Sequence, residues 1–340
     1  MLSRINILII ILIILLAVIA TVILYLYYQI YQPLNRQGQT IEFVIQPGES
    51  AKTICDRLQS QGRVRSSLWL ETYLWFKGER SHIKAGQYQL SSSQNIIEIS
   101  DILIAMPQAK PEVVITIPEG WRTEQIINKL LELGLADRAS LTEEINNLKK
   151  YQTQYNFLQD APADADLSGF LFPDTYRFYK DTDALTIVKR LLDNFDKKID
   201  VNLRQEIARQ QKSIFEVVTM ASIVEKEVAS DTDRIIAAGI FWQRLADNHA
   251  LESCATIAYA SNVDKWRYSD LDLQIVSPYN TYKNIGLPPG PICNPGLSAI
   301  KAAIYPTRTD YYYFLSAPDG QTIFSKTLEE HNKNKIKYLE

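Results

Sequence analysis

The sequence predicts an α+β protein with three parts: an N-terminal transmembrane helix, a small βααβ module and a larger mixed α/β domain. Three observations support this prediction. A charge-free apolar run occupies 7–26, strand and helix patterns alternate over 41–107, and helical segments mixed with aromatic-rich strands fill 108–340. Hydrophobic residues make up 46% of the chain and charged residues 22%, a balance that allows globular cores.

The apolar run "ILIIILIILLAVIATVILYL" has about 20 residues, which in a helix just span the bilayer hydrocarbon. Tyr27 and Tyr28 follow it as an aromatic belt would. Arg4 and the terminal amine precede it, so the positive-inside rule predicts a cytoplasmic tip and anchor over 1–30, with the remaining chain outside the cytoplasm. A cleaved signal peptide is the alternative, because "AVIA" resembles a cleavage site, but the run continues past it.

The stretch 31–40 is polar, contains Pro and Gly, and is predicted to be a linker. After it, "IEFVIQPGES" alternates as a strand does, and Ser50 is a good N-cap for the helix "AKTICDRLQSQG". A second helix, "SSLWLETYLWFKG", and a second strand, "IKAGQYQLS", follow. This order predicts the βααβ module within 41–107.

The remainder, 108–340, is predicted to be a single mixed domain. A long helical stretch is expected from about Asp183 to Ile207, and Ser213 is predicted to cap the helix "SIFEVVTMASIVEKEVAS". The segment 277–296 holds five prolines and three glycines, so it cannot be regular helix or strand over its length.

Glu225 is the first candidate catalytic residue. On a helix, its neighbours are small or apolar: Val218, Ala221, Ser222, Val228 and Ala229. Such a stripe predicts room for a ligand, and a carboxyl group against apolar surface has the raised pKa that a general acid needs. The alternative is a buried Glu225 paired with Arg234 or Arg244, and the helix alone leaves both open. Glu227 is predicted to point nearer to solvent.

Three tyrosines are candidate sugar contacts. Tyr176, Tyr279 and Tyr282 would offer the flat aromatic faces and hydroxyl groups that sugar rings require. The last two belong to the Pro/Gly-rich loop, for which a purely structural, proline-stiffened role is the alternative.

Composition excludes several other classes of protein. A formal net charge of -3 gives no electrostatic footprint for nucleic acid. Three cysteines without a CxxC pair and three histidines without an HExxH pair argue against a disulfide scaffold and a metal enzyme. No cofactor and no metal are therefore expected.

Several motifs stand in order: "PGES", "IPEGW", "GFLFPDTY", "ASIVEKE", "SPYNTY", "GLPPGPICNPG" and "FSKTLEEHN". Over nearly its whole length the chain resembles the MltG-type (YceG-like) endolytic murein transglycosylases. The resemblance implies a LysM-like module at 41–107, a lysozyme-like catalytic domain at 108–340, and Glu225 as catalytic acid/base. "PYN" is similar to an "AYN" element of lysozyme-like enzymes, which implies that Tyr279 and Asn280 orient Glu225 and the substrate.

The resemblance also implies the reaction and the location. The enzyme would cleave MurNAc-β-1,4-GlcNAc bonds in nascent glycan strands to give 1,6-anhydro-MurNAc ends, with strand termination as its candidate role. Its partners would be peptidoglycan glycan strands, with peptidoglycan synthases as candidate protein partners. It would be a single-pass protein of the bacterial inner (plasma) membrane, in contact with the lipid bilayer.

Among the departures from the family pattern, Glu252 stands where Gln is usual and Cys254 where Asp is usual. Glu252 is expected near the substrate groove. There it would raise the pKa of Glu225 by like-charge repulsion, or act as the second carboxylate of a muramidase-type hydrolase. A solvated Glu252 at a helix end is a further alternative, as is a non-catalytic peptidoglycan-binding protein.

Overall fold

The computed structural model describes residues 4–105, 112–265 and 267–339. The chain divides into two compact units, 1–111 and 112–340. Each unit contains helices and antiparallel strand pairs, so the predicted mixture of α and β structure is confirmed.

Unit 1 begins with a helix that is long and apolar enough to cross a membrane. A small globular part follows it, in the predicted order of strand, two helices and strand, with one further helix at the end. The elements are α1 (Arg4–Tyr31), β1 (Thr40–Ile45), α2 (Ala51–Ser60), α3 (Ser67–Phe76), β2 (Gly86–Ser91) and α4 (Ile96–Ile104).

Local sequence explains these boundaries. The side chain of Ser50 accepts the backbone N–H of Thr53 at 3.1 Å and starts α2 as predicted. β1 pairs antiparallel with β2, from Thr40 opposite Ser91 to Ile45 opposite Gly86. The inward residues of both strands and of the helices form one core, which includes Phe43, Ile54, Leu58, Leu70, Leu74, Tyr88, Leu90 and Leu103.

Unit 2 is mainly helical. Its strands form two separate antiparallel pairs, β3 with β4 and β5 with β6. The elements are β3 (Glu112–Thr116), α5 (Thr123–Glu132), α6 (Arg138–Asn146), α7 (Leu148–Gln152), β4 (Thr175–Tyr179), α8 (Ala184–Lys198), α9 (Val201–Arg209), α10 (Ile214–Glu227), α11 (Asp231–Ala246), α12 (Cys254–Ser261), α13 (Leu297–Ile304), β5 (Tyr313–Ser316), β6 (Thr322–Ser325) and α14 (Leu328–Leu339).

Helix α10 forms the centre of unit 2. All residues from Val217 to Val224 are buried, so the helix is covered on every side. It packs against α11, α12 and α13. Ser213 starts it with a reciprocal capping box, in which Glu216 is the second partner. Glu225 lies in the C-terminal turn of this helix, so it is held on a rigid element.

The stretch predicted to be helical from about Asp183 to Ile207 is helical, but it forms two helices, α8 and α9, rather than one continuous helix. The backbone N–H of Ile199 closes α8 on Phe195, and the side chain of Asp200 caps α9 by accepting the N–H of Leu203 at 3.0 Å. An internal N-cap thus interrupts an otherwise helical pattern. The described segment 277–296 contains no helix or strand, as its prolines and glycines predict.

Candidate active site

Glu225 lies in the last turn of α10, and its side chain is only 5% exposed. Both carboxylate oxygens have partners. Oε1 accepts from Nη2 of Arg234 at 2.7 Å, and Oε2 accepts from the backbone N–H of Gly296 at 2.9 Å. The two donors come from α11 and from the N-cap of α13, so they fix the carboxyl group between three helices.

Arg234 is itself held in place. Its Nη1 contacts Oδ1 of Asp231 at 3.1 Å, and the same Asp231 oxygen accepts from the hydroxyl of Ser298 on α13. The arginine side chain is 10% exposed. The pairing of Glu225 with Arg234, one of the two partners anticipated from sequence, therefore belongs to a network that joins α10, α11 and α13.

A second carboxylate, Glu119, lies beside this network. A Cβ on Gly296 would overlap the Glu119 carboxylate, so only glycine permits this close approach. Gly120, next to it, has φ of 75°, and a Cβ there would come within 3.5 Å of Cγ of Glu225. The "PEG" turn, residues 118–120, thus forms one wall of the site.

The surroundings of Glu225 act on its pKa in opposite directions. Burial raises the pKa above its ordinary value and is the largest influence, and the charge of Glu119 raises it further. The Gly296 N–H and the charges of Arg234 and Lys226 lower it. The net direction is upward, so the protonated acid is favoured relative to a solvated glutamate.

The buried side chain of Asn294 helps to hold the "PEG" turn, the wall of the site, in position. Its Oδ1 accepts from the N–H groups of Gly169 at 2.9 Å and Leu171 at 3.0 Å, and its Nδ2 donates to the Trp121 carbonyl at 3.0 Å. The backbone N–H of Gly120 donates to the Asn294 carbonyl at 2.9 Å. One residue thereby ties the "PEG" turn to the loop that follows residue 168.

The stripe of small residues does not leave room for a ligand, so that prediction is wrong. Ser222 Oγ accepts the N–H of Ile292 at 3.0 Å, and Cys293 Sγ donates to the Ser222 carbonyl at 3.3 Å. Val218 and Ala221 are buried in the core. The small side chains therefore allow the chain's own segment 291–293 to pack closely on α10.

The prediction that Glu227 points nearer to solvent is also wrong. Its carboxylate is buried and accepts from the hydroxyl of Ser253 and from the N–H of Ala255 at 3.0 Å. These groups stand at the N-terminus of α12, where free N–H groups and the helix dipole favour an anion. Burial nevertheless raises the pKa of Glu227. This glutamate caps a helix, a role that no helical-wheel pattern could reveal.

Tyr279 is half-buried, and its ring lies 4.7 Å from that of Tyr259, centroid to centroid. It lines a cavity of about 540 Å³ together with Asp164, Asp166 and Pro289. Aromatic faces and carboxylates of this kind can bind hydroxylated rings.

Asn280 bonds within the loop region, whereas the side chain of Tyr282 contacts the start of α12. Asn280 is fully buried; its Nδ2 donates to the carbonyls of Leu273 and Ile275, and its Oδ1 accepts the N–H of Tyr282. The Tyr282 hydroxyl lies 3.2 Å from Sγ of Cys254, and burial raises its pKa. Asn280 makes these bonds within the loop, so its side chain holds the loop rather than reaching towards Glu225.

Tyr176 lies in the core of unit 2. Its ring is 5% exposed and stacks on Phe178, and its hydroxyl donates to the Phe172 carbonyl at 2.6 Å. A sugar therefore finds no free face on this ring, and the predicted substrate contact is corrected to a packing role.

Glu252 faces Arg244 instead of Glu225. The two charged groups are 3.6 Å apart, and the Glu252 side chain is 39% exposed. Its backbone has φ of 51° and donates its N–H to the carbonyl of Thr281 at 3.1 Å. The like charge that raises the pKa of Glu225 is that of Glu119, so the expected repulsion comes from a different residue.

Sequence reasoning missed Glu119, Asn294 and Gly296 as members of the site. The signal was present in "IPEGW" and "CNPG", two stretches of the motifs that carry the resemblance. The spacing along the chain gave no indication that these stretches meet Glu225.

Comparison with known proteins agrees with the resemblance. A model of the YceG-like family matches residues 43–337. An endolytic murein transglycosylase from Bacillus subtilis (strain 168) is 33% identical over 320 residues, which cover 91% of this chain and 88% of the relative. A protein of the same name from Streptococcus pneumoniae (strain ATCC BAA-255 / R6) is 31% identical over 319 residues, 87% of this chain and 58% of the relative.

A solved structure is similar as well. The 2.6 Å crystal structure of a yceG-like protein from Listeria monocytogenes matches with a TM-score of 0.60 and 33% identity. The match covers 88% of this chain and 100% of that chain.

Proposed function

Since the chain belongs to the YceG-like family, we propose that it is an endolytic murein transglycosylase, the name given to its relatives in B. subtilis and S. pneumoniae, with Glu225 as its catalytic acid and base. The observation that carries this assignment is the environment of the Glu225 carboxyl group. Burial favours its protonated form, and two directed donors stabilise its ionised form.

One carboxyl group suffices for the reaction. Protonated Glu225 gives its proton to the glycosidic oxygen, and the bond from that oxygen to C1 of MurNAc breaks with positive charge developing at C1. The Glu225 carboxylate then takes the proton of the MurNAc C6 hydroxyl, whose oxygen bonds to C1. The product is a 1,6-anhydro-MurNAc end, and no water is consumed.

The surroundings of Glu225 fit both halves of this cycle. Burial and Glu119 favour the acid form that begins the reaction. Arg234 and the Gly296 N–H stabilise the carboxylate that remains after proton donation, so that the base is already in place for the second half.

A muramidase-type hydrolase would need a second carboxylate that acts on water. Glu252, the candidate from sequence, forms an ion pair with Arg244, which argues against a water-activating role. The transglycosylase is therefore the better supported function.

The glycan strand is proposed to lie along the surface that contains Tyr279 and the cavity with Asp164 and Asp166. Arg122, two residues beyond Gly120, holds its guanidinium 5.4 Å from the centroid of the Tyr259 ring. The neighbouring rings of Tyr259 and Tyr279, tilted at 47° to each other, would then be the aromatic contacts, in place of Tyr176.

The location follows from α1. We place α1 across the bacterial plasma membrane with its N-terminus in the cytoplasm, because Arg4 precedes the apolar run. The β1–α2–α3–β2 part of unit 1 is proposed to be a LysM-like module that binds glycan, which its βααβ order supports. Nascent strands outside the membrane would be the substrate, and peptidoglycan synthases the candidate partners.

A mass measurement tests the function. Purified full-length protein in detergent is incubated with glycan strands, and the ends of the products are analysed by mass spectrometry. We expect anhydro ends, each one water lighter than a reducing end. Glu225→Gln should lower the cleavage rate roughly 100-fold or more, the usual loss for an acid/base group, and leave folding intact.

Glu252→Gln is the matched control in the same experiment. It should leave both the rate and the anhydro product unchanged. A fall in reducing ends with this variant would favour the hydrolase instead, and full activity of Glu225→Gln would overturn the assignment of the acid.

A further inference from the structure

Helix α3 of unit 1 is apolar on two opposite faces. Leu70 and Leu74 are fully buried in the core of the unit. On the other face, Leu68, Trp75 and Phe76 are 64%, 66% and 82% exposed. Together with Thr72 they follow the i, i+4, i+7, i+8 spacing of a single helix face. An exposed apolar face of this kind marks a contact surface.

The start of α3 packs against the end of α1. Arg65 donates to the Tyr28 hydroxyl and, at 2.5 Å, to the Pro33 carbonyl, while its guanidinium lies 4.4 Å from the centroid of the Tyr28 ring. One turn further along α3, the ring of Trp69 meets Tyr25 edge-on at 6.2 Å.

These two contacts show in which direction α3 runs relative to α1. Moving along the chain from Arg65, two residues before α3, to Trp69 in its first turn corresponds to moving back along α1 from Tyr28 to Tyr25. The two helices therefore run antiparallel at this point. Six to seven residues beyond Trp69, or about 10 Å of helix, α3 ends in Trp75 and Phe76. They lie in the direction of the apolar part of α1.

We infer that the C-terminal end of α3 dips into the same bilayer that α1 spans, and that Leu68, Trp75 and Phe76 contact its phospholipids. The inference rests on the proposed membrane span of α1. Tryptophan favours the headgroup level of a bilayer, where its ring is apolar and its N–H stays wet. Lys77 follows directly, and a lysine in that place can extend its ammonium group to the headgroups.

The consequence is a second membrane contact for unit 1. A single apolar helix allows the attached part to swivel, whereas an additional interfacial helix fixes its height and tilt. The contacts of Arg65 and Trp69 with α1 would hold α3 in this position even without lipid.

Site-specific fluorescence in proteoliposomes tests the inference. The full chain carries Cys254→Ser, because Cys254 is exposed whereas Cys55 and Cys293 are buried. An environment-sensitive label is attached at Phe76→Cys. Ser60→Cys, exposed at the end of α2, is the matched control; that end lies next to the start of α3, where the N–H of Ser67 donates to Gln59 Oε1 at 2.8 Å.

The expected result is a blue-shifted emission at position 76 that lipids carrying a nitroxide quench, and a water-like, unquenched emission at position 60. Water-like emission at both positions, in chains that resist alkaline extraction from the vesicles, would overturn the inference alone. If alkali extracted the chain from the vesicles, α1 would not span the membrane, and both the proposed span and the inference that rests on it would be overturned. Catalysis in detergent depends on neither outcome.

Discussion

At the scale of single residues, the role proposed for Glu225 requires one carboxyl group to act both as an acid and as a base. An isolated buried carboxyl would remain protonated and be a poor base, whereas one paired only with an arginine would remain ionised and be a poor acid. Glu225 has both influences, together with the charge of Glu119. The balance between them should therefore be visible in the dependence of activity on pH.

Replacing Glu119 by Gln tests this balance. The charge of Glu119 raises the pKa of Glu225, so its removal should lower that pKa. The acid then loses its proton at a lower pH, and the upper limb of the pH–rate profile moves to lower pH. The profile of kcat against pH provides the measurement.

Glu252→Gln is the control for Glu119→Gln, because the Glu252 carboxylate faces Arg244. Its profile should coincide with that of the wild type. If the limb moved with Glu252→Gln and stayed in place with Glu119→Gln, Glu252 rather than Glu119 would be the carboxylate that acts on Glu225.

The sequence predicts Glu225 as a candidate catalytic residue but does not predict its surroundings, for a physical reason. Its motif and its position on α10 are local properties that periodicity can reveal. Glu119 and Gly296 come from loops more than 70 residues away on either side, and they meet only because segments 118–120 and 294–296 fold against each other. The misplacement of Glu227 has the same origin, since its partners stand on α12.

At the scale of elements, the loops around the site depend on one buried amide. Asn294→Leu would leave the N–H groups of Gly169 and Leu171 without their acceptor in a buried place. Each unpaired buried group costs about 1–3 kcal/mol, so the free energy of unfolding should fall by roughly 2–6 kcal/mol. Urea unfolding followed by circular dichroism measures the loss.

Asn284→Leu is the comparison for Asn294→Leu. Asn284 donates to the carbonyls of Ser277 and Asn280, each at 2.9 Å, but it is exposed, so water can replace its amide. The loss should stay below about 1 kcal/mol. Equal losses for the two variants would show that burial of the Asn294 amide adds nothing to stability.

Helix boundaries were predictable where the residues that determine them lie close together in the sequence. Ser50 and Ser213 cap α2 and α10 as predicted, because an N-cap acts on N–H groups two or three residues away. Asp200 is such a cap too, but it sits inside a continuous helical pattern, so the break between α8 and α9 was missed. The small-residue stripe of α10 was recognised as special, but its true neighbour, segment 291–293, lies some 70 residues further along the chain.

At the scale of the whole molecule, composition alone located the first element. The apolar residues of α1 from Ile9 to Leu24 are exposed along the helix, and the globular parts bury their own large side chains in two separate cores. An apolar helix exposed in this way is consistent with a membrane span. The proposed orientation places Arg4 on the cytoplasmic side and the Glu225 site on the other side, where glycan strands are.

Labelling of intact spheroplasts with a membrane-impermeant maleimide tests this orientation, in the Cys254→Ser background. Ser60→Cys should react at once, because it follows α1 and is exposed. Ser3→Cys, which precedes α1, should react only after the membrane is permeabilised, since positive charge keeps the tip in the cytoplasm. A cytoplasmic marker protein reports that the membrane is sealed. The reverse pattern would invert the topology, and a mature chain that lacks position 3 would identify the apolar run as a cleaved signal peptide.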